Sequence, residues 1–343
     1  MKFESLAQAM VAVTFGIFVS TGVAHAGLFR TYLSLNGSDA NACTLQAPCR
    51  LLPAALNAVN DGGEIWILDS ANFNTATVAI SKSVTILAVP GALGSVVANG
   101  GHAIVVDAPS ARVTLRNLVV LNLSGGTVGP SGFDGVRVLA GASVTIEDCE
   151  VYGMSARGMT VFASSNIAIA VKRSTFRDNG FRGLSFAGPV TLTMDGVHVL
   201  NSPLGVIVGP GLNATISNSV VANSSDAGNG VALKAQTDAA QTTRLAIENS
   251  VIRGSDVGLG VTSEGGAVAV TISRTSISQN ATGVSTGISA GSAVAVLNAS
   301  TVSHSTVAGV DTTQGGVVQS AGNNVFQFNT QNVNGTMTPL TTL

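Results

Sequence analysis

Charged and aromatic side chains are scarce in this sequence. Only 10% of the 343 residues are charged and 4% are aromatic, and 16 Lys and Arg against 18 Asp and Glu give a net charge of −2. Nucleic-acid binding depends on clustered positive charge, so this composition excludes a nucleic-acid partner. No apolar run reaches the roughly 20 residues of a membrane span. Gly is abundant instead, with 40 residues.

The first 26 residues have the pattern of a secretory signal peptide. Lys2 precedes the apolar run AMVAVTFGIFV, and the segment ends in Ala24-His25-Ala26, an A-x-A cleavage pattern. The apolar run is about half as long as a membrane anchor. We therefore expect 1–26 to be removed and the remaining chain to be exported, to the periplasm or beyond.

The sequence contains three Cys. Cys43 and Cys49 lie in one polar loop, and in an oxidising compartment we expect them to form a disulfide. That loop offers too few ligands for a metal site. Cys149 is left over, and the repeat described next places it inward, which predicts a buried free thiol.

Two motifs recur in step along most of the chain. The first is a polar turn between two apolar segments, such as VTLRNLVVLN at 113, and its second apolar anchor recurs every 22 to 31 residues. These anchors are Val120, Val151, Phe176, Val199, Val221, Ile252, Ile277 and Val302. The second motif is a glycine followed by a large apolar residue, one outward residue and usually another apolar residue. Its glycines are Gly135, Gly158, Gly183, Gly205, Gly230, Gly258, Gly283 and Gly309.

This period predicts stacked coils, each with three short strands. A single coil cannot bury its apolar face, but about ten stacked coils can, with parallel strands about 4.8 Å apart. The turn of the first motif favours a left-handed backbone through Asn117, Asp148, Gly196, Asn218 and Asn249. Arg173 and Arg274 break this row. Extra segments at 123–132 and 234–243 should lie outside the core.

The repeat resembles the right-handed parallel β-helix of the pectin-lyase-like superfamily. The opening TYLSLNGSDANACTLQAPCRLLPAALNAV, followed by GGEIWILDSANF, resembles the N-terminal region of exported bacterial members, where a helix covers the first coil. An open sheet edge needs such a cover, and the residues with suitable spacing are Leu52, Ala55, Leu56 and Val59. Leucine-rich repeats and propeller blades fit the period and composition less well.

The expected fold is therefore all-β, a right-handed parallel β-helix with an N-terminal capping helix. A single domain is predicted over 27–343, with the cap and first strand at 27–65, coils at 66–320 and a C-terminal cap or tail at 321–343. The resemblance implies no single function, because the superfamily includes lyases, hydrolases, epimerases, phage proteins and adhesins.

Charged residues of successive coils fall in register. The column before the turn alternates in sign, and the next column places Asp148 beneath Arg173. We interpret these as structural ion ladders, in which each pair contributes roughly 0.2–1 kcal/mol. The first column consists of Arg116, Glu147, Lys172 and Asp195. The serines after the turn, Ser174, Ser219 and Ser250, should face inward, and no Ser-His-Asp signature is present.

The candidate polysaccharide site consists of Asp134, Arg137, Tyr152, Arg157, Arg177, Asp178 and Arg182. Asp134 can pair with Arg157, but Arg182 lies over Arg157 as an unfavourable like-charged neighbour. In the family that the sequence resembles, polysaccharide lies in the groove beside the glycine-motif strand. Unpaired Arg residues there suit uronate carboxylates. The alternative is that Asp134 and Asp178 neutralise them and the surface is merely solvated.

The upper coils are expected to carry no chemistry, with Ile207, Ala232, Gly260 and Ser285 facing outward. No metal site is predicted, because His102, His198 and His304 lie in different coils. No cofactor is expected unless the chain is a lyase, for which the resemblance implies Ca²⁺ with Asp134 and Asp178 as contributors. These two are also the one carboxyl pair for an inverting hydrolase, which needs about 6.5–9.5 Å between them.

Three functions remain open. The first is a binding solenoid without a catalytic motif, whose partner is an extended extracellular polysaccharide that carries acidic groups. The second is a lyase acting on uronate-containing glycans, with Arg157, Arg177 or Arg182 as the base. The third is a structural or adhesive envelope protein. The missing catalytic signatures favour the first or third, and the clustered charge favours the first or second. A monomer is expected.

Overall fold

The computed structural model describes residues 27–123, 132–238 and 240–340. The predicted signal peptide at 1–26, residues 124–131 and residue 239 lie outside the described residues. The regular elements of the described chain are strands, most of them short, and one short helix near the N-terminus. None of the helical structure in these ranges is long and apolar enough to cross a membrane.

The elements follow one another in a regular order. The N-terminal third contains β1 Leu28–Leu33, α1 Leu52–Ala58, β2 Val59–Ile67, β3 Ala71–Asn72, β4 Val78–Ile80, β5 Val84–Ala88, β6 Gly94–Ala98, β7 Ile104–Asp107, β8 Arg112–Arg116 and β9 Leu118–Asn122. The middle contains β10 Val136–Ala140, β11 Ser143–Glu147, β12 Glu150–Tyr152, β13 Arg157–Phe162, β14 Ile167–Lys172, β15 Thr175–Arg177, β16 Arg182–Ala187, β17 Val190–Asp195, β18 His198–Leu200, β19 Leu204–Val208, β20 Asn213–Ser217 and β21 Val220–Ala222. The last third contains β22 Val231–Thr237, β23 Thr242–Glu248, β24 Val251–Arg253, β25 Val257–Ser273, β26 Ser276–Ser278, β27 Thr282–Asn298, β28 Thr301–Ser303, β29 Ala308–Gln314, β30 Val317–Ser320, β31 Val325–Gln327, β32 Val333–Asn334 and β33 Met337–Pro339.

Each coil contributes to three rows of parallel strands. The short-strand row contains eleven strands, β3, β6, β9, β12, β15, β18, β21, β24, β26, β28 and β31. The glycine-motif row contains β4, β7, β10, β13, β16, β19, β22, the first parts of β25 and β27, β29 and β32. The central row contains β1, β2, β5, β8, β11, β14, β17, β20, β23, the second parts of β25 and β27, β30 and β33. This is the predicted parallel β-solenoid.

The predicted stacking of the coils is confirmed by the register. The apolar anchors of the first motif are Cα partners from coil to coil and are buried. Gly158, Gly183 and Gly205 lie on the adjacent parallel strands β13, β16 and β19. A Cβ atom at Gly183 would lie 2.3 Å from Cγ1 of Val199 and 2.7 Å from the carbonyl oxygen of Gly205. The glycine motif therefore reflects close packing between coils.

The turn row adopts the left-handed backbone that its composition predicts. It includes Arg173 at φ 44° and Arg274 at φ 48°, so the stacking of neighbouring coils overrides the local preference of these residues. The residues after this turn form a buried polar ladder. In it, the backbone N–H of Val197 donates to Oγ of Ser219, and that of Ser219 donates to Oγ of Ser250. The inward direction predicted for these serines is confirmed.

The N-terminal end is covered as predicted. In α1, Leu52 and Ala55 are fully buried against the first coils, and Leu56 and Val59 are nearly so. Cys43 and Cys49 form a disulfide with 4.6 Å between their Cα atoms. The parallel rows extend beyond the predicted coil range of 66–320, since β31, β32 and β33 add a further coil after residue 320.

Candidate functional site

The structure divides the seven candidate residues between two rows. Asp134, Arg137, Arg157 and Arg182 belong to the glycine-motif row. Tyr152, Arg177 and Asp178 lie on or just after strands of the short-strand row. No hydrogen bond or ion pair within the described ranges joins Arg177 or Asp178 to Arg137 or Arg182. The single site that the sequence predicts is therefore divided between two rows.

Asp134 is the buried centre of the first group. Its carboxylate is fully buried and accepts a hydrogen bond from Nη1 of Arg157 at 3.3 Å and one from Nη1 of Arg137 at 3.5 Å. The predicted pairing of Asp134 with Arg157 is confirmed. Two guanidinium groups share this one carboxylate, so the group keeps one positive charge in excess.

His102 belongs to the same group, although the sequence analysis gave it no partner. The backbone N–H of Asp134 donates to Nδ1 of His102 at 3.0 Å, which only a neutral ring can accept. Burial lowers the pKa of His102, and the nearby Arg137 acts in the same direction, while Asp134 raises it. The sequence could have identified His102, because it lies one coil below Asp134 in the same column.

Arg182 is the Cα partner of Arg157 on the next strand, as predicted. The two guanidinium groups have different hydrogen-bond partners, Asp134 for Arg157 and Ser185 for Arg182. Nη1 of Arg182 donates to Oγ of Ser185 at 3.0 Å, and both guanidinium groups lie near the ring of Phe181, at 4.5 Å for Arg182 and 5.4 Å for Arg157. Arg182 forms no ion pair with any residue that the structure describes, and its Nε is buried without a hydrogen-bond partner.

Lys234 extends this group upward and corrects the prediction for the upper coils. Residues 234–237 belong to β22 and are not part of an outward loop. Leu204 pairs with Val231, so Ala232 occupies the glycine position beside Gly205 and is buried. The expected outward position of Ala232 and the assignment of Gly230 to the glycine column are therefore wrong. Lys234 faces outward instead, as the Cα partner of Ile207.

The charge of Arg182 acts on Lys234. Burial lowers the pKa of Lys234, and the charge of Arg182 lowers it further, while Glu264 raises it. Burial also lowers the pKa of Arg182, followed by the charge of Arg157. We call Arg137, Arg157, Arg182 and Lys234 the cation strip. In this strip, Arg137, Arg182 and Lys234 are partly exposed, whereas Arg157 is buried against Asp134.

The second group is internally neutralised. Nε of Arg177 donates to Oε1 of Glu150 and Nη1 donates to Oδ2 of Asp178, both at 2.7 Å. The same guanidinium lies 4.2 Å from the ring centre of Tyr152. Asp178 also accepts a hydrogen bond from Asn201, and the bonds from Asn201 and Arg177 hold its pKa below the usual value. For this group, the structure agrees with the alternative interpretation of the sequence, in which acidic side chains neutralise the Arg and the surface is merely solvated.

The ion ladders predicted on the central row are present in part: Arg116 pairs with Glu147 and Asp148 with Arg173, but Lys172 forms no ion pair with Glu147 or Asp195, its partners in register. Glu147 forms ion pairs with Arg116 and Arg173, and Arg173 also pairs with Asp148 at 2.8 Å. Above them, Asp195 accepts hydrogen bonds from Ser217 and Asn218. These bonds lie on a different row from the cation strip and involve none of its residues.

The residues present do not fit a Ca²⁺ ion. Ca²⁺ prefers six to eight oxygen ligands, but both oxygens of Asp134 are held by Arg residues, and Asp178 is held by Arg177 and Asn201. Within the described ranges, no three His, Cys, Asp or Glu residues lie close enough to hold a metal together. Cys149 is buried and free, and burial raises the pKa of its thiol to about 12.

A family model described as "Right handed beta helix region" matches residues 134–330. Among solved structures, pectate lyase Pel9A aligns with a TM-score of 0.53 at 18% identity, covering 82% of this chain and 78% of that one. The GH136 lacto-N-biosidase from Eubacterium ramulus aligns with a TM-score of 0.57 at 10% identity, covering 91% and 68%. A rhamnogalacturonan lyase aligns with a TM-score of 0.50 at 12% identity, covering 81% and 75%.

A comparison with curated proteins gave no match. At these identities, the likeness to solved structures shows the fold alone. The family match spans more than half of the chain and includes the whole cation strip. This chain belongs to the right-handed β-helix family.

Proposed function

We propose that this chain is an exported β-helix protein that binds an extended acidic polysaccharide along the cation strip. The observation that carries the proposal is the excess of outward positive charge. Four cationic side chains lie within five successive coils. Asp134 pairs with Arg137 and Arg157, whereas Arg182 and Lys234 form no ion pair with a described residue. Arg binds carboxylates through paired hydrogen bonds. The cation strip runs along the solenoid axis, so an extended polysaccharide lying along that axis would pass over successive cations.

Two further observations support this proposal. The similar solved structures include a pectate lyase and a rhamnogalacturonan lyase, whose names identify polysaccharides as the ligand class. The disulfide between Cys43 and Cys49 fits an oxidising compartment, which agrees with export.

Substitution of Arg182 tests the proposal. Arg182→Gln should weaken binding to an acidic glycan roughly tenfold, because a charge-assisted contact is lost. The matched control is Arg244→Gln, which removes the same charge from an exposed position on the central row. Affinity electrophoresis through gels containing polygalacturonate or alginate measures both variants. Unchanged mobility of Arg182→Gln, or equal effects of the two variants, would contradict the proposal.

A second candidate function, a polysaccharide lyase, is favoured by Lys234. A lysine with a lowered pKa can act as a general base. Lys234 would take the proton from the ring carbon next to a uronate carboxylate. The electron pair forms a carbon–carbon double bond as the glycosidic oxygen leaves and takes a proton. Arg182 would bind the carboxylate whose charge increases in that step.

An absorbance assay distinguishes the two candidates. Cleavage by elimination creates unsaturated ends, so incubation with polygalacturonate or alginate should raise the ultraviolet absorbance if the chain is a lyase. Lys234→Met should abolish that rise, while Lys172→Met on the central row should not. If the absorbance stays constant with both polymers while glycan binding is retained, the lyase function is contradicted and the binding function remains.

A further inference from the structure

The cation strip is not evenly charged. One outward column of the glycine-motif row runs through partners on five successive strands, from β10 to β22. Its members are Arg137, Thr160, Ser185, Ile207 and Lys234. The guanidinium of Arg182 lies over Ser185 through their hydrogen bond. The column therefore reads cation, neutral, cation, apolar, cation.

The charges of neighbouring groups preserve this alternation. Arg157 belongs to the second coil, but its guanidinium turns down to Asp134 in the first. Arg137 and Arg157 together against Asp134 leave one positive charge, because His102 is neutral. Arg182 in the third coil and Lys234 in the fifth add one each. Successive positive charges are therefore two coils apart, about 9.6 Å at a strand spacing of about 4.8 Å.

The intervening positions are unsuited to anions. Thr160 and Ile207 are buried, although their column faces outward. Neither position offers an exposed hydrogen-bond donor. A carboxylate placed there would lose water without gaining a partner, which is costly.

We propose that the acidic polysaccharide bound by the cation strip carries its negative charge on every second sugar. This inference rests on the proposed function. One pyranose residue of an extended chain is about as long as one coil spacing, so a disaccharide repeat matches the interval between charges. A glycan that alternates a uronate with a neutral sugar fits all five positions. A polyuronate would place alternate carboxylates against Thr160 and Ile207.

Defined hexasaccharides test this inference. Calorimetric titration compares a hyaluronate hexasaccharide, which alternates uronate with a neutral sugar, with hexagalacturonate, which carries a carboxylate on every residue. We expect tighter binding of the hyaluronate fragment and loss of binding when its carboxyl groups are reduced to alcohols. Equal or tighter binding of hexagalacturonate overturns the alternation and leaves the proposed function intact. Binding of neither overturns both.

The upper coils provide a gain-of-charge test. Gly260 and Ser285 continue the column beyond Lys234. Ser285→Lys adds a charge in phase with the alternation, whereas Gly260→Lys adds the same charge out of phase. The space around Gly260 admits a side chain, since the atom nearest to a Cβ there is 3.5 Å away. We expect Ser285→Lys to tighten binding of a longer hyaluronate fragment roughly two- to fivefold. An equal gain from Gly260→Lys would overturn the inference.

Discussion

Replacement of Asp134 by Asn should destabilise the fold and strengthen anion binding at once. Asn keeps the size of the side chain and removes its charge. Asp134 is fully buried and pairs with Arg157, whose side chain is only 11% exposed. Without the carboxylate, the positive charge of Arg157 remains nearly buried beside the like charge of Arg182.

The contacts determine the size of the effect. Removing one partner of a buried ion pair costs about 3–5 kcal/mol. The contacts of Asp134 at 3.3 and 3.5 Å are longer than strong charge-assisted hydrogen bonds. Arg137, about a third exposed, can turn to water when the carboxylate is lost. We therefore expect the free energy of unfolding to fall by about 2–3 kcal/mol.

Urea unfolding and affinity electrophoresis measure the two effects. The matched control is Asp148→Asn, which removes a carboxylate that is 42% exposed and paired with Arg173. An exposed pair contributes at most about 1 kcal/mol. Asp134→Asn should also slow migration through an acidic glycan gel, because the cation strip gains one net charge, and added salt should reduce that effect. If Asp134→Asn is as stable as Asp148→Asn, the reasoning about this buried centre is refuted.

Two further predictions concern the solenoid itself. Gly183→Ala should lower the free energy of unfolding by about 1–3 kcal/mol, because its Cβ would overlap Val199, whereas Gly260→Ala should be nearly neutral; equal urea midpoints would contradict this. Hydrogen bonds from Arg173 lower the pKa of Glu147, and those from Asn201 and Arg177 lower that of Asp178. Their stabilisation is complete above about pH 4 and is lost as the pH falls through these lowered pKa values. Acid titration of the circular dichroism signal should therefore show Glu147→Gln less sensitive to pH below 4 than the wild type.

Much of the fold follows from local pattern. The period of the anchors, the glycine motif and the turn row predict parallel coils, and Leu52 and Ala55 predict the covering helix. These features are periodic because every coil meets the same neighbours above and below, so one column of the sequence becomes one row in space. The column that contains Asp134, Arg157 and Arg182 could be found for that reason.

Register across the two coils between Gly205 and Gly258 could not be derived from the sequence. They contain an extended β22, and the motif at Gly230 suggests an alignment that the strand pairing does not follow. An error of two residues moved Lys234 out of the predicted column and put Ala232 in its place. The sequence also could not predict side-chain direction. Arg177 is separate from the cation strip because its guanidinium is bonded to Glu150 and Asp178.

The amino-acid pattern alone therefore determined that the chain is a parallel solenoid and that positive charge gathers in its middle coils. Tertiary structure decided which of those charges remain available, because ion pairing depends on the direction of each side chain and not on its column. Asp134 holds two Arg residues, Arg177 is neutralised on another row, and Arg182 and Lys234 stay without an ion-pair partner among the described residues. The spacing of positive charge along the cation strip arises only from these contacts.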